Sequence, residues 1–161
     1  MKRLRWILPL ILLTLVVACG ATVWLVRTGI GPRPQRDLTL PRIYAYRDWQ
    51  SVGMQLEPGD MVHIRAQGRW LYTPGEYHGP EGHASYPAPD TYPIPGQNVA
   101  GGVLLARIGE NGRPMLVGRG RTIVADQAGL LYFRINDDVL SDNEGYVAVE
   151  VSVEPYSEAE P

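Results

Sequence analysis

Beyond residue 41, apolar and polar residues alternate with a period of two through four runs. This is the pattern of strands that bury one face. Val62, Ile64 and Ala66 alternate with Met61, His63 and Arg65, and Leu104, Ala106 and Ile108 with Leu105 and Arg107. Leu131, Phe133 and Ile135 alternate with Tyr132 and Arg134, and Val147, Val149, Val151 and Val153 with Ala148, Glu150 and Ser152. Shorter strand candidates lie at 43–49, 69–72, 115–118 and 121–124. Glu57-Pro58-Gly59-Asp60 and Glu110-Asn111-Gly112 carry turn chemistry. No stretch after residue 41 has a helical period. The expected class is all-β: about seven or eight short strands in a two-sheet β-sandwich of jelly-roll type.

One hydrophobic helix is expected ahead of the sandwich. Lys2, Arg3 and Arg5 precede an uncharged stretch at 6–26, which Arg27 closes. As a helix that stretch would run about 31 Å, the thickness of a bilayer core. Two expectations follow for residues 1–27. One is a signal-anchor helix that stays in the membrane. The other is a cleaved lipoprotein signal, because Val16-Val17-Ala18-Cys19-Gly20 is similar to a lipobox and would make Cys19 the lipidated residue. Both put the rest of the chain outside the cytoplasm, on the periplasmic or cell-surface side. Residues 28–41 form a Pro/Gly/Arg linker, 42–153 the sandwich domain and 154–161 a short acidic tail expected to be disordered.

Composition narrows the function. Residues 1–27 hold four of the fifteen basic residues and none of the seventeen acidic ones, so the exported part carries a net charge of −6. That argues against nucleic acid and against a polybasic membrane patch, and it is compatible with binding cations. Cys19 is the only cysteine, so the domain has no internal disulfide. No Ser-His-Asp order, paired-carboxylate cleft or phosphate loop stands out, and the chain is not expected to be an enzyme. His63 lies on the polar phase of a strand. His78 and His83 lie five apart, and a zinc pair there lacks a third ligand of the right softness.

Two segments carry the candidate chemistry. Residues 73–102 hold six prolines and Tyr77, Tyr86 and Tyr92, and the expectation is a loop, either mobile or functional. Exposed tyrosines suit stacking on the apolar face of a sugar. Residues 136–145 crowd Asp137, Asp138, Asp142 and Glu144 between two clear strands. Such a loop is either a solvated acidic hairpin or a site whose carboxylates a hard cation neutralises, and for oxygen donors that cation is calcium.

An ordered set of pieces extends this reading. It runs from Tyr44 and Trp49 through Glu57-Pro58-Gly59-Asp60, Ala66-Gln67-Gly68-Arg69-Trp70-Leu71-Tyr72, Gly79-Pro80-Glu81-Gly82 and residues 102–109 to Ile135-Asn136-Asp137 and Asp142-Asn143-Glu144-Gly145. In this order the chain resembles the bacterial calcium-dependent galactophilic lectins, small galactose-binding β-sandwich domains. The resemblance implies calcium held by Asp137, Asp142 and Asn143 with the backbone carbonyls of Leu140 and Tyr72. It also implies a carbohydrate ligand contacted by Tyr72, Asp137, Asn143, Tyr86, Tyr92 and Gln97. The family grips its sugar with a His-Pro pair, where this chain has Tyr86-Pro87 or Tyr92-Pro93. The expected function is a membrane-tethered, calcium-dependent carbohydrate-binding module. The competing expectation is an envelope module that uses the same sandwich to contact a protein partner.

Overall fold

Every regular element among the described residues, 40–73 and 75–156 of this computed structural model, is a β-strand. The strands are β1 (Arg42–Tyr44), β2 (Gln50–Leu56), β3 (Met61–Thr73), β4 (Glu76–His78), β5 (His83–Ala88) and β6 (Gly96–Gly101). They continue with β7 (Leu104–Ile108), β8 (Met115–Leu116), β9 (Gly120–Val124), β10 (Gly129–Ile135) and β11 (Glu144–Glu154). The hydrophobic segment 6–26, Cys19 and the linker as far as residue 39 lie outside the described residues, as do tail residues 157–161.

β3 is the spine of the first sheet. β11 pairs with it antiparallel along its length, from Glu144 opposite Leu71 to Glu154 opposite Met61, and β1 flanks β11. On the other edge of β3, β9 covers the first half and β4 the second. The second sheet runs β2-β10-β7-β8, and β5 and β6 form a separate two-stranded sheet.

The period of two explains which side chains meet. Val62, Ile64, Ala66, Trp70 and Tyr72 share the inward parity of β3, and Val147 and Val149 that of β11. Leu104, Ala106 and Ile108 of β7 and Leu131, Phe133 and Ile135 of β10 supply the opposite layer of one continuous core. Each large apolar side chain buried there contributes about 1.5–3 kcal/mol. Trp70 is fully buried, and its indole N–H donates to the Gly102 carbonyl at 3.0 Å, so its polar edge is not orphaned.

The expectation is corrected in four places. The 61–66 and 69–72 candidates are one strand, because Gly68 at φ 116° keeps the inward parity unbroken. The 43–49 strand stops at Tyr44, where the Gln50 side chain takes over both backbone groups: Tyr44 N–H donates to Oε1, and Nε2 donates to the Tyr44 carbonyl, each at 2.9 Å. The chain then turns and enters the other sheet as β2. Third, residues 73–102 are not one long loop, since β4, β5 and β6 fall within them. Pro87 is accommodated in β5 because a two-stranded sheet has only edges. Finally, the tail begins ordered. Glu154 closes β11, and the buried carboxylate of Asp60 accepts N–H bonds from Glu57 at 2.9 Å and Tyr156 at 3.1 Å.

Removing the indole should therefore cost far more than an exposed apolar change. Trp70→Ala is expected to lose about 3–5 kcal/mol in urea unfolding. Val124→Ala, at a side chain 60% exposed, should stay within about 0.5 kcal/mol. Equal losses would contradict the placement of the core.

Candidate functional site

The acidic segment is a crossover, not a hairpin. β10 belongs to the second sheet and β11 to the first, so residues 136–143 carry the chain from one layer of the sandwich to the other. Backbone drawn past a core edge must find partners for its N–H and C=O groups. Asn136, fully buried, supplies them. Its own N–H donates to Val103 O at 2.8 Å, and its carbonyl accepts from Gly102 N at 2.9 Å. Its side-chain amide accepts from Ile94 N–H at 3.0 Å and donates to Ile94 O at 2.9 Å. One residue thus fastens the 89–95 segment and the start of β7 to the crossover.

Asp137 follows it into the interior at 4% exposure. Its Oδ1 accepts Val139 N–H at 3.2 Å, and its Oδ2 accepts Asn143 Nδ2 at 2.7 Å. Arg134 donates to the Asp137 carbonyl at 2.7 Å and to Asp48 Oδ1 at 2.6 Å, setting a positive charge at the foot of the loop. Asn143 is also buried, and its Nδ2 makes a second bond to Val139 O at 3.2 Å. With both acceptors on the nitrogen side the orientation of the amide is settled, and Oδ1 is left buried with no hydrogen-bond partner. Asp138, Asp142 and Glu144 are exposed. The four carboxylates therefore split into one interior group and three at the surface.

A cavity of about 280 Å³ opens against this loop, lined by Tyr72, Tyr86, Tyr92, Asp137, Asp138 and Asp142, with Thr73, Pro89 and Val139 completing its wall. Tyr72 enters it where β3 runs on past the start of β11. The backbone of Gly101 and Gly102 makes room for the Tyr72 ring; a Cβ on Gly102 would meet the ring at 2.6 Å. The hydroxyls of Tyr72 and Tyr92 are 2.8 Å apart, and the rings of Tyr86 and Tyr92 stand edge-on to Tyr72 with centroids at 5.9 and 6.4 Å. Burial pushes the Tyr72 hydroxyl up to about 12, with the Asp137 charge adding to the rise against the bond from Tyr92. Tyr92 is raised further, by burial first and then by its bond to Tyr72 and the Asp137 charge. Both hydroxyls are held neutral, as donors and acceptors.

Most of the expected residues converge. Tyr72, Tyr86, Tyr92, Asp137 and Asp142 line the cavity, and Asn143 is buried beside them, bonded to Asp137. The Leu140 carbonyl accepts Asn143 N–H at 3.4 Å. Gln97 does not join them: it is exposed on β6 and is not part of the cavity wall. Asp138 is one of the four crowded carboxylates of the sequence and Thr73 is legible by adjacency to Tyr72, whereas nothing in the sequence marks Pro89 or Val139 as wall. The donors facing the cavity from the loop are all oxygens, a set suited to a hard cation. The histidines lie apart from them. His63 contacts Thr122 at 3.0 Å and Glu154 at 3.3 Å, while the rings of His78 and His83 lie 4.3 Å apart. Burial, and then the neighbouring His83, lower the His78 imidazole below its ordinary value.

No family model and no curated protein matches the chain. Among solved structures, the fold is similar to the EclA N-terminal domain, a PllA-like lectin, with a TM-score of 0.55. Identity is 22% over 71% of this chain and 94% of that one, so the likeness is one of fold.

Proposed function

We propose that this chain is a carbohydrate-binding module whose crossover loop holds a calcium ion, and that the sugar binds in the adjoining tyrosine-lined cavity. The observation that carries the reading is the buried pair Asp137–Asn143. Its amide nitrogen is spent on two acceptors while its oxygen, Oδ1, has none. A buried carbonyl oxygen without a donor costs about 1–3 kcal/mol, and coordination of a cation would remove that cost. The neighbouring donors fit such an ion, since Asp137 and Asp142 are carboxylates and Leu140 and Tyr72 offer backbone carbonyls. No nitrogen or sulfur ligand competes, which favours calcium over zinc here.

When bound, the ion supplies coordination positions for vicinal hydroxyls. The rest falls to the chain's own residues. Tyr86 offers a ring 45% exposed for stacking on the apolar face of a sugar. The neutral hydroxyls of Tyr72 and Tyr92 donate to and accept from a polyol without repelling it. At about 280 Å³ the cavity lies at the small end of ligand pockets, which suits one ring rather than a long chain. The resemblance favours a galactose-like ring. The segment 6–26 would tether the module to a membrane on its extracytoplasmic side, as anchor or as lipoprotein through Cys19.

Calcium at about ten times its Kd should stabilise the fold by about 1.4 kcal/mol, read as a rise in Tm that chelator reverses. Asp137→Asn and Asn143→Ala should abolish the rise, and no shift at millimolar calcium would sink the metal reading. On a glycan array, binding is expected with calcium and not with chelator. Tyr86→Ala should weaken that binding while leaving the thermal response intact. Silence of the wild-type chain in calcium would count against the sugar.

Alkaline pH tests the tyrosine pair separately. Tyr72 ionises near 12 in the folded chain against about 10 when unfolded. Its contribution is therefore fully present below about 10 and lost as pH rises from about 10 to about 12. In calcium the field of Asp137 is partly cancelled, so the ultraviolet tyrosinate titration of the wild type should shift to lower pH. A titration indifferent to calcium would contradict the proximity of ion and tyrosines.

A further inference from the structure

We propose that Glu76, His78 and His83 form a second metal site, for a divalent ion of the borderline class that imidazole and carboxylate bind together, with zinc as the probe ion. The site shares no ligand with the calcium reading and stands or falls without it.

Two strands and one turn build it. Glu76 and His78 are two apart on β4 and so lie on one face. The turn Gly79-Pro80-Glu81-Gly82, closed by Gly82 N–H to Gly79 O at 3.0 Å, returns the chain so that β5 begins with His83 beside them. β4 itself is held by the pairing of His78 with Trp70 and by Arg69 donating to the Tyr77 carbonyl at 2.6 Å. Glu76 Oε2 is 3.4 Å from His78 Nε2 and 3.3 Å from His83 Nε2, and all three ligand atoms lie within 4.8 Å of one another.

Those distances have a chemical meaning. A tetrahedral zinc ion with bonds of about 2.0–2.1 Å separates its donors by roughly 3.3–3.4 Å. Two of the three edges already have that length. The third edge, between the two histidine nitrogens, is within 4.8 Å, and the arrangement leaves a fourth position for water. Both histidines are partly buried, with side chains 18% and 24% exposed, whereas Glu76 at 61% keeps a route from solvent. The Thr73 hydroxyl, 3.4 Å from His78 Nε2, is the other polar group at this ring. Two local contacts oppose binding: the Thr73 bond occupies the His78 nitrogen that would take the metal, and the other lies at His83. Ser85 N–H donates to His83 Nδ1 at 3.3 Å, and a metal on Nε2 moves the ring proton to Nδ1 and breaks that bond. Ser85 is exposed, so water replaces it.

An ion here would tie β4 to the first residue of β5. That strand carries Tyr86, whose ring lies 6.2 Å from His83 and forms part of the cavity wall. Zinc would thus fix one wall of the cavity without touching its ligand.

The test titrates zinc chloride into the full chain in mild detergent, by calorimetry, in a buffer free of chelator. One saturable site is expected, undisturbed by excess calcium. Its affinity should fall at least about tenfold in His78→Ala, His83→Ala and Glu76→Gln, and stay unchanged in His63→Ala and Asp142→Asn. Absence of saturable uptake, uptake that survives the three cluster variants, or uptake lost in Asp142→Asn would overturn the proposal. Histidine ring nitrogen shifts in the wild-type chain give a readout free of variant folding. His78 and His83 should move with zinc while His63 does not, and a spectrum in which neither moves would overturn it as well.

Discussion

A carboxylate taken out of water must be met by donors or by charge, and the burial of Asp137 at the point where the chain changes sheets governs the rest of this site. Had β10 and β11 been neighbours in one sheet, the residues between them would form a solvated hairpin with no obligation to one another. Instead they cross the end of a sandwich, and the loop closes on itself through the 2.7 Å bond from Asn143 to Asp137. Arg134 braces the loop from below by holding the Asp137 carbonyl. What this closure leaves over is the oxygen of Asn143, a buried side-chain atom of the loop without a hydrogen-bond partner.

The cavity next to the loop depends on the same junction. Asn136 pins the 89–95 segment through Ile94 and the glycine turn through Gly102. That turn accepts the Trp70 indole and leaves space for the Tyr72 ring. Tyr92 sits on the pinned segment and meets Tyr72 hydroxyl to hydroxyl at 2.8 Å. Core, crossover and tyrosine cluster are thus linked by a short series of contacts. The inward parity of β3 runs from hydrophobic core at Val62 to cavity wall at Tyr72, exposed on that face only at Gly68.

How much of this was legible depends on the range of the forces involved. Strands with a strong period of two, such as Gly129–Ile135, declare themselves because burial of one face leaves its mark locally. β2 escaped because Gln50, Ser51, Gly53 and Gln55 dilute the alternation of Val52, Met54 and Leu56. β5 and β6 escaped because prolines and glycines are tolerated on edges, where a ladder has only one side to satisfy, and β4 because three residues are too few to show a period. In the site, Asp137, Asp142, Tyr72, Tyr86 and Tyr92 were found from residue type and resemblance, and the structure brings them to one cavity. Gln97 follows from the resemblance alone, and no local signal marks that β6 carries it away from the cavity wall. Glu76 was missed as a partner of the histidines because its spacing of two from His78 has meaning only on a strand.

In the function proposed here the buried oxygen of Asn143 completes a calcium site. Its most direct test follows the side-chain amide resonances of asparagine as calcium is titrated into the full chain. The Asn143 amide should shift and saturate, while Asn136, whose side chain is already bonded on both sides to Ile94, should stay close to its starting position. An Asn143 resonance unmoved at millimolar calcium would contradict the account.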